Sequence, residues 1–155
     1  MVRFVYGKRI SKTALLSPAA SARIFDEQRK EVFLTRRADN GRWCLPSGAM
    51  EPGESAEETC VRETLEETGL QVRVTRLVGI YTNPDAIVEY QDGNRFQAID
   101  LAFEAEVTDG ESQLSDETTE YGYFPVESLG DIDVMEDNLE MILDAAKRLP
   151  EAVIK

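Results

Sequence analysis

The sequence predicts a mixed α/β sandwich in which β-strands are flanked by two helices. Several short segments are apolar or alternate between apolar and polar residues, as strands do. One segment after Ser55 carries the start and stop signals of a helix, and residues 138–149 repeat apolar side chains at helical spacing. With 155 residues, 42% of them hydrophobic, the chain is long enough for its own core. We therefore expect residues 1–155 to form a single domain.

The first group of strand predictions lies before the helix. Residues 14–25 and Glu31–Arg37 are apolar and are separated by the polar stretch 26–30, so they are predicted to pair as a hairpin. Residues 43–45 form a short strand that leads into a loop rich in glycine and proline.

The second group follows the helix. Gln71–Tyr81 alternates in the manner of a strand, and the sequence Asn-Pro-Asp at residues 83–85 ends it. Residues 87–90 and 96–107 are predicted to form a hairpin, because an Asp-Gly turn lies between them. Residues 118–124 are the last predicted strand.

The helix between these groups has well-defined ends. Ser55 is a favourable N-cap, and Glu58, three residues later, completes a capping box. Gly69 can adopt the left-handed conformation that closes a helix. We therefore expect the helix to run from Ser55 to Gly69.

Three glutamates lie on one face of this helix. Glu66 and Glu67 follow Glu63 by three and four residues, whereas Val61 and Leu65 lie on the opposite side, where we expect them to pack on a core. Like charges on adjacent turns destabilise a helix, and a bridging cation would remove that repulsion. Hard divalent cations such as Mg²⁺, with Mn²⁺ as an alternative, prefer such oxygen ligands. A solvated acidic helix face is the other interpretation.

Arg62 lies beside these carboxylates in the sequence. An arginine can orient glutamates through bidentate hydrogen bonds, which predicts a supporting role at a metal site. A surface ion pair of little energetic value is the alternative.

The composition excludes several classes of function. The formal net charge of −13 argues against nucleic acid or an anionic membrane as a partner. The chain has no histidine, which excludes Ser-His and Cys-His catalysis and histidine-ligated zinc. No apolar run approaches a membrane span, and no secretory signal is visible. With two cysteines expected to remain free thiols, these features predict a cytoplasmic protein.

One motif indicates a family. Residues 48–70 read GAMEPGESAEETCVRETLEETGL and fit the pattern G-x5-E-x7-R-E-U-x-E-E-x-G-U, where U is a bulky apolar residue. Thr64 is the one departure, at a position where an aliphatic residue is usual. The motif resembles that of the Nudix hydrolases, which split nucleoside diphosphates linked to another moiety. The resemblance implies a Nudix fold, a curved mixed β-sheet sandwiched between helices, with the motif as a loop-helix-loop.

The resemblance also implies a ligand set and a mechanism. Glu54 and the backbone of Ser47, where relatives have glycine, would join Glu63, Glu66 and Glu67 around two or more metal ions. Glu66, Glu67 and Arg62 would be part of the catalytic machinery. A glutamate of a later acidic loop, either Glu117 or Glu120, would accept a proton from the attacking water.

Substrate contacts are expected from segments that flank the motif. The resemblance implies that an arginine at the end of Glu31–Arg37 contacts phosphate, either Arg37 or Arg36. Trp43 would stack on a base or belong to the core. Gly48, which opens the motif, is a further expected contact.

The substrate preference rests on a proline. Pro84 stands about fifteen residues beyond Gly69, a spacing that resembles ADP-ribose pyrophosphatases. ADP-ribose or a nucleotide sugar is therefore the expected substrate, with hydrogen bonds from Tyr81 and Asn83. A nucleoside triphosphate, oxidised forms included, is the alternative, although the acidic residues Asp85 and Glu89 would repel its terminal phosphate. A nucleotide-binding module without catalysis is the alternative from another class, and a homodimer is left open.

Overall fold

The computed structural model describes residues 2–155 as ten strands and two α-helices. The strands are β1 (Arg3–Tyr6), β2 (Leu15–Arg23), β3 (Glu31–Arg37), β4 (Trp43–Cys44), β5 (Ser47–Ala49), β6 (Gln71–Tyr81), β7 (Ala86–Glu89), β8 (Arg95–Asp109), β9 (Thr118–Pro125) and β10 (Val153–Ile154). The helices are α1 (Ala56–Thr68) and α2 (Glu136–Ala146), and short 3₁₀ turns cover Ile10–Thr13 and Val126–Asp131. The predicted mixed α/β class is confirmed.

The strands form two sheets. The larger sheet is mixed, and its long central strand β8 pairs antiparallel with β6 and β7 and parallel with β2. The sheet is extended by β1 on β7, β5 on β2 and β10 on β6. The smaller sheet is antiparallel, in the order β4-β3-β9. The strands β1, β5 and β10 had no counterpart in the sequence-based prediction.

The predicted hairpin of β2 and β3 is present only next to its turn, and the rest of the prediction is wrong. A bridge joins Phe25 to Val32, and the Phe33 N–H donates to the Ile24 carbonyl over 2.9 Å. Further along, the strands enter different sheets. Because β5 and β8 hydrogen-bond to the two edges of β2, neither edge is left for β3.

The second predicted hairpin, β7 with β8, is confirmed. Val88 pairs with Phe96 and Glu89 with Arg95 across the turn. Gly93 has a φ of 85°, which explains the glycine in that turn.

Each helix covers its own core. The α1 core includes Ala20, Ala22, Ile24, Phe33, Cys60, Leu70, Val72 and Ala105. The α2 core includes Val32, Leu34, Leu45, Val78, Tyr81, Ala102, Leu129, Val134, Met141, Ile142 and Ala145. No helix in residues 2–155 is long and apolar enough to cross a membrane.

The buried face of α1 differs from the predicted one. Leu65 is 41% exposed, so its predicted core position is wrong, whereas Thr59, Thr64 and Thr68 are buried. The Thr64 hydroxyl donates to the Cys60 carbonyl over 2.7 Å, which satisfies the polar group within the helix. The unusual residue of the motif is thus accommodated by a local hydrogen bond.

Candidate active site

The ends of α1 set the register of the glutamates. The Glu58 N–H donates to the Ser55 hydroxyl over 3.2 Å, and the Ser55 N–H donates to the Glu58 carboxylate over 2.7 Å. Gly69 closes the helix with a φ of 74°. The predicted capping box and C-cap are confirmed, and they direct Glu63 and Glu67 toward the β5 loop.

Arg62 connects the loop to the helix. Its guanidinium donates to both oxygens of Glu54, to Glu63 over 2.7 Å and to Glu66 over 3.3 Å. It also donates to the Ala49 carbonyl over 3.1 Å. The bidentate contact lowers the pKa of Glu54 to about 2. Arg62 therefore holds these carboxylates in fixed orientations, in the geometry expected for a supporting role.

Glu54, Glu63 and Glu67 are half-buried, whereas Glu66 is exposed. Glu63 lies against Gly48, where an added Cβ would come within 2.0 Å of the Glu63 carboxylate carbon. The Ser47 N–H donates to Glu67 over 3.4 Å. Burial, followed by repulsion from Glu63, raises the pKa of Glu67 to about 8. The Ser47 N–H and the charge of Arg37 thus compensate the ionised form of Glu67 only in part.

The donor set of this cluster fits a hard cation. All the side-chain donors are carboxylate oxygens, and a bound cation would relieve the repulsion between Glu63 and Glu67. Within residues 2–155, no three Asp, Glu or Cys side chains converge as a metal cage. Arg62 engages one oxygen each of Glu63 and Glu66, and the other oxygen of each has no hydrogen bond among residues 2–155.

The cluster faces a cleft of about 890 Å³. Its lining includes Ser47, Gly48, Glu63, Glu67 and Glu117. It also includes aromatic and apolar residues of β1, β7 and β8 and the loop after β6, comprising Phe4, Val88, Tyr90, Phe96, Asn83 and Pro84. In the larger sheet β1 and β7 are separated from β5 by β8 and β2, so the lining combines carboxylates beside β5 with aromatic and amide groups several strands away.

Two arginines at the end of β3 point to different surroundings. Arg37 lines the cleft, donates to both oxygens of Asp39 and lies 5.7 Å from the centre of the Phe4 ring. Arg36 donates to the Gly41 carbonyl over 2.8 Å and to Glu120 over 2.6 Å. Adjacent residues of a strand project to opposite faces, so only Arg37 reaches the cleft.

Of the two candidate loop glutamates, too, one lines the cleft and the other does not. Glu117 lines the cleft, and its charge contributes to the raised pKa values of Glu63 and Glu67. Glu120 is paired with Arg36 and is not among the residues, within 2–155, that line the cleft.

Trp43 lies with the core. Its ring meets Phe124 edge-on, with centroids 4.5 Å apart, and it packs against the α2 core. It is absent from the described cleft lining. Of the two interpretations of Trp43, the core position is the one observed.

The residues expected near the part of the substrate beyond the pyrophosphate lie in different surroundings. Tyr81, Asn83 and Pro84 line the cleft, but the Tyr81 hydroxyl already donates its hydrogen bond to buried Asp144 over 2.9 Å. Asp85 accepts the Arg9 N–H, and Glu89 pairs with Arg3 and Arg95. Neither acid is in the described cleft lining, so the expected repulsion of a triphosphate by these two residues is not supported.

Sequence reasoning missed the cleft residues Phe4 and Asp100. Phe4 belongs to β1, which lies outside the motif and gave no signal. Asp100 interrupts an otherwise apolar stretch of β8, and that interruption was the signal available.

Comparison with known proteins agrees with this arrangement. The family model described as NUDIX domain matches residues 15–145. An ADP-ribose pyrophosphatase of Methanocaldococcus jannaschii is 32% identical over 139 residues, 81% of this chain and 79% of that protein. A putative 8-oxo-dGTP diphosphatase of Bacillus subtilis is 44% identical over 57 residues, 37% of this chain and 38% of that protein.

Solved structures show the same fold. The crystal structure of an ADP-ribose pyrophosphatase from Streptococcus suis superposes with a TM-score of 0.65 at 24% identity, over 89% of this chain and 96% of that one. The family match covers most of the chain and includes the motif at residues 48–70. The resemblance is confirmed, and the chain belongs to the Nudix family of pyrophosphohydrolases.

Proposed function

We propose that this enzyme hydrolyses the pyrophosphate bond of a nucleoside diphosphate linked to a sugar, with ADP-ribose as the preferred candidate. The observation that carries the proposal is a cleft whose lining combines carboxylates beside β5 with aromatic and amide groups of β1, β7 and the loop after β6. A second uncharged moiety can occupy the far part while the phosphates lie over the glutamates. The similarity to the Methanocaldococcus jannaschii protein supports this choice.

We propose that Glu63, Glu66 and Glu67, with Glu54 and the Ser47 backbone, hold Mg²⁺, or Mn²⁺ in its place. When bound, the cation would neutralise phosphate oxygens and lower the pKa of a water molecule. Arg62 keeps the carboxylates in position, as its contacts with Glu54, Glu63 and Glu66 suggest.

The remaining roles belong to residues at the cleft. Glu117 accepts a proton from the attacking water, and Arg37 and the Gly48 loop contact the phosphates; the cleft positions of these residues support the assignment. The water oxygen bonds to one phosphorus, the bridging P–O bond breaks, and each product leaves with one phosphate. Glu120, Arg36 and Trp43 remain weaker candidates, because their side chains are engaged elsewhere.

The proposed partner is a small nucleotide, with residues 1–155 acting as one domain. Nucleic acid and membranes are not proposed partners, in view of the charge of −13. The two buried free cysteines suit a reducing compartment, which we propose is the cytoplasm.

The test is a substrate panel with Mg²⁺, measuring phosphomonoester release from ADP-ribose, other nucleotide sugars, dinucleotides, ATP and 8-oxo-dGTP. We expect the highest kcat/KM for ADP-ribose or a nucleotide sugar. A preference for a triphosphate would favour the second candidate, to which the local similarity with the Bacillus subtilis protein points. Binding without cleavage of any compound would indicate a non-catalytic module.

The metal requirement is a separate prediction. Because the proposed ligands are oxygens, we expect activity to disappear in excess EDTA and to return with Mg²⁺ or Mn²⁺. Added Mg²⁺ should also raise the Tm of the parental protein by binding the folded state. Full turnover in excess EDTA would contradict the metal mechanism.

A further inference from the structure

Asp100 lies in the cleft at a position that the hydrolytic mechanism does not use. It pairs with Ala19 of β2 in the parallel register of β8, and the row of Ser17, Ala19, Ala98 and Asp100 lines the cleft. Paired residues of neighbouring strands project to the same face of a sheet. The Asp100 carboxylate is therefore part of the cleft floor.

A buried polar chain holds this carboxylate from below. The Ser21 hydroxyl donates to Asp100 Oδ1 over 2.6 Å. Arg23 in turn donates to the Ser21 hydroxyl over 2.7 Å and to its carbonyl over 2.9 Å. A second nitrogen of Arg23 contacts the Met141 sulfur. The chain runs from the core through Ser21 to the cleft.

The burial of Arg23 makes this arrangement unlike ordinary packing. Arg23 has an exposed fraction of 0%, and its Nε has no hydrogen-bond partner in the described structure. A buried charge is costly unless an opposite charge compensates it, and Asp100 is the carboxylate that acts on it most strongly. An apolar side chain would fill the same space without this cost. The arginine instead keeps a carboxylate in place at the cleft surface.

The sheet register places Asp100 at a distance from the reacting phosphates. Ala49, next to the carboxylate cluster, pairs with Ala19, and Ala19 pairs with Asp100. Two strand spacings correspond to roughly 10 Å. A nucleotide whose phosphates lay over the carboxylate cluster would therefore present to Asp100 a part that is remote from the scissile bond.

The free oxygen of Asp100 defines what it can bind. Oδ1 accepts from Ser21, whereas Oδ2 has no hydrogen-bond donor among residues 2–155. A carboxylate accepts hydrogen bonds from hydroxyl or amino groups and repels phosphate. We infer that Asp100 is a specificity-determining residue that accepts a hydrogen bond from a hydroxyl or amino group on the nucleoside or sugar part of the substrate. Ser21 and Arg23 are its positioning residues.

This inference rests on the proposed function, and substrate analogues test it. ADP-ribose is compared with analogues that lack, in turn, the amino group of the base, the hydroxyls of the nucleoside ribose and the hydroxyls of the distal sugar. In the parental enzyme we expect one analogue to lose about 10- to 100-fold in kcat/KM, the value of a hydrogen bond to a charged group. In Asp100→Ala the same analogue and ADP-ribose should have nearly equal kcat/KM values.

Control variants separate a direct contact from a general disturbance. The ratio of kcat/KM for two substrates is internal to each variant and does not depend on how much of the protein is folded. Asp100→Asn, which keeps the shape, should reduce the ratio, and Ser21→Ala should reduce it through misplacement of Asp100. Asp85→Asn, an acid outside the cleft lining, should leave the parental ratio unchanged.

The outcomes are distinguishable from failure of the proposed function. An unchanged ratio in both Asp100 variants, or equal cleavage of all analogues by the parental enzyme, overturns the inference. If only triphosphates are cleaved, the proposed function fails, and deoxy and deamino triphosphates then test Asp100 by the same ratio. The analogue that shows the coupling identifies the base, ribose or distal sugar as the group that Asp100 contacts.

Discussion

At the scale of single residues, one arginine orients most of the carboxylates of the candidate active site. Arg62 contacts Glu54, Glu63 and Glu66 at the same time, and a lysine could not reproduce its bidentate contact with Glu54. Glu67 stands apart from this network, and among residues 2–155 its one hydrogen-bond donor is the Ser47 N–H. The residues that orient the site and the residue with unbalanced charge are therefore different.

Replacing Glu67 by glutamine should separate catalysis from stability. The pKa of Glu67 is raised above its ordinary value of 4.5 to about 8, so its ionisation opposes folding increasingly between these pH values. We expect kcat to fall by about 100-fold or more, while Tm in EDTA at pH 8 is equal or higher. The Tm gain should vanish at pH 4. Glu57→Gln, at an exposed position on the same helix, is the control, and an equal loss of kcat there would contradict the assignment.

Adding one methyl group at Gly48 should displace a glutamate. The new Cβ would lie 2.0 Å from the Glu63 carboxylate carbon, while the backbone at Gly48 has no positive φ that would strain an alanine. We expect Gly48→Ala to lower kcat by about 100-fold, the effect of a misplacement of about 1 Å. Gly130→Ala, where a Cβ meets nothing within 4 Å, is the matched control and should retain activity. Full activity of Gly48→Ala would show that the position of Glu63 is not critical.

At the scale of elements, α1 combines local signals with an unexpected buried face. Its capping box and glycine C-cap act within one turn of each end. Its buried face consists of three threonines and Cys60. Of the two predicted core residues, Val61 is half-buried and Leu65 is exposed. The short threonine side chains let the helix approach the sheet closely and bring Glu63 and Glu67 to the β5 loop.

Removal of the helix N-cap should lower stability without altering the chemistry. Ser55→Ala leaves the Glu58 N–H without its side-chain acceptor, and we expect a loss of about 1 kcal/mol in the free energy of unfolding. Urea denaturation in EDTA measures this loss, and kcat at 20 °C should remain near the parental value. Ser128→Ala, at an exposed turn, is the control. A stability loss no larger than that of the control would contradict the role of the cap.

At the scale of the whole molecule, Glu104 joins three parts of the chain. It lies on β8, is 8% exposed and accepts hydrogen bonds from Arg29, in the turn after β2, and from Arg76 of β6. Burial alone would raise the pKa of Glu104, but the two arginines outweigh burial and lower it. This ion cluster therefore ties the turn and β6 to the central strand.

Neutralising Glu104 should produce a pH-dependent loss of stability. A carboxylate with a lowered pKa stabilises the fold above its unfolded pKa of about 4.5, and this contribution is lost as the pH falls through the folded pKa. We expect Glu104→Gln to lose about 3 kcal/mol at pH 7 in denaturant titrations, and much less at pH 3. Glu106→Gln, on the same strand but in an exposed pair with Arg73, should stay within about 0.5 kcal/mol of the parental protein. Equal effects of the two substitutions, or a loss that is independent of pH, would contradict the cluster's role.

The sequence alone determined the features that depend on neighbouring residues. The ends of α1, the limits of β6 and the hairpin of β7 with β8 follow from caps, alternation and turn residues, which act over a few positions. The spacing of the motif likewise identified the carboxylate cluster and the family.

Only the tertiary structure decided which side chains share the cleft. Arg36 and Arg37 are adjacent, and Glu117 and Glu120 are only three residues apart, but the directions of their side chains depend on pairing with distant strands. The β2–β3 hairpin failed because β2 has both edges occupied by β5 and β8. The contact between Ser21 and Asp100 joins residues 79 positions apart. Such contacts form only when the whole sheet assembles, since no local preference specifies which distant strand a residue will face.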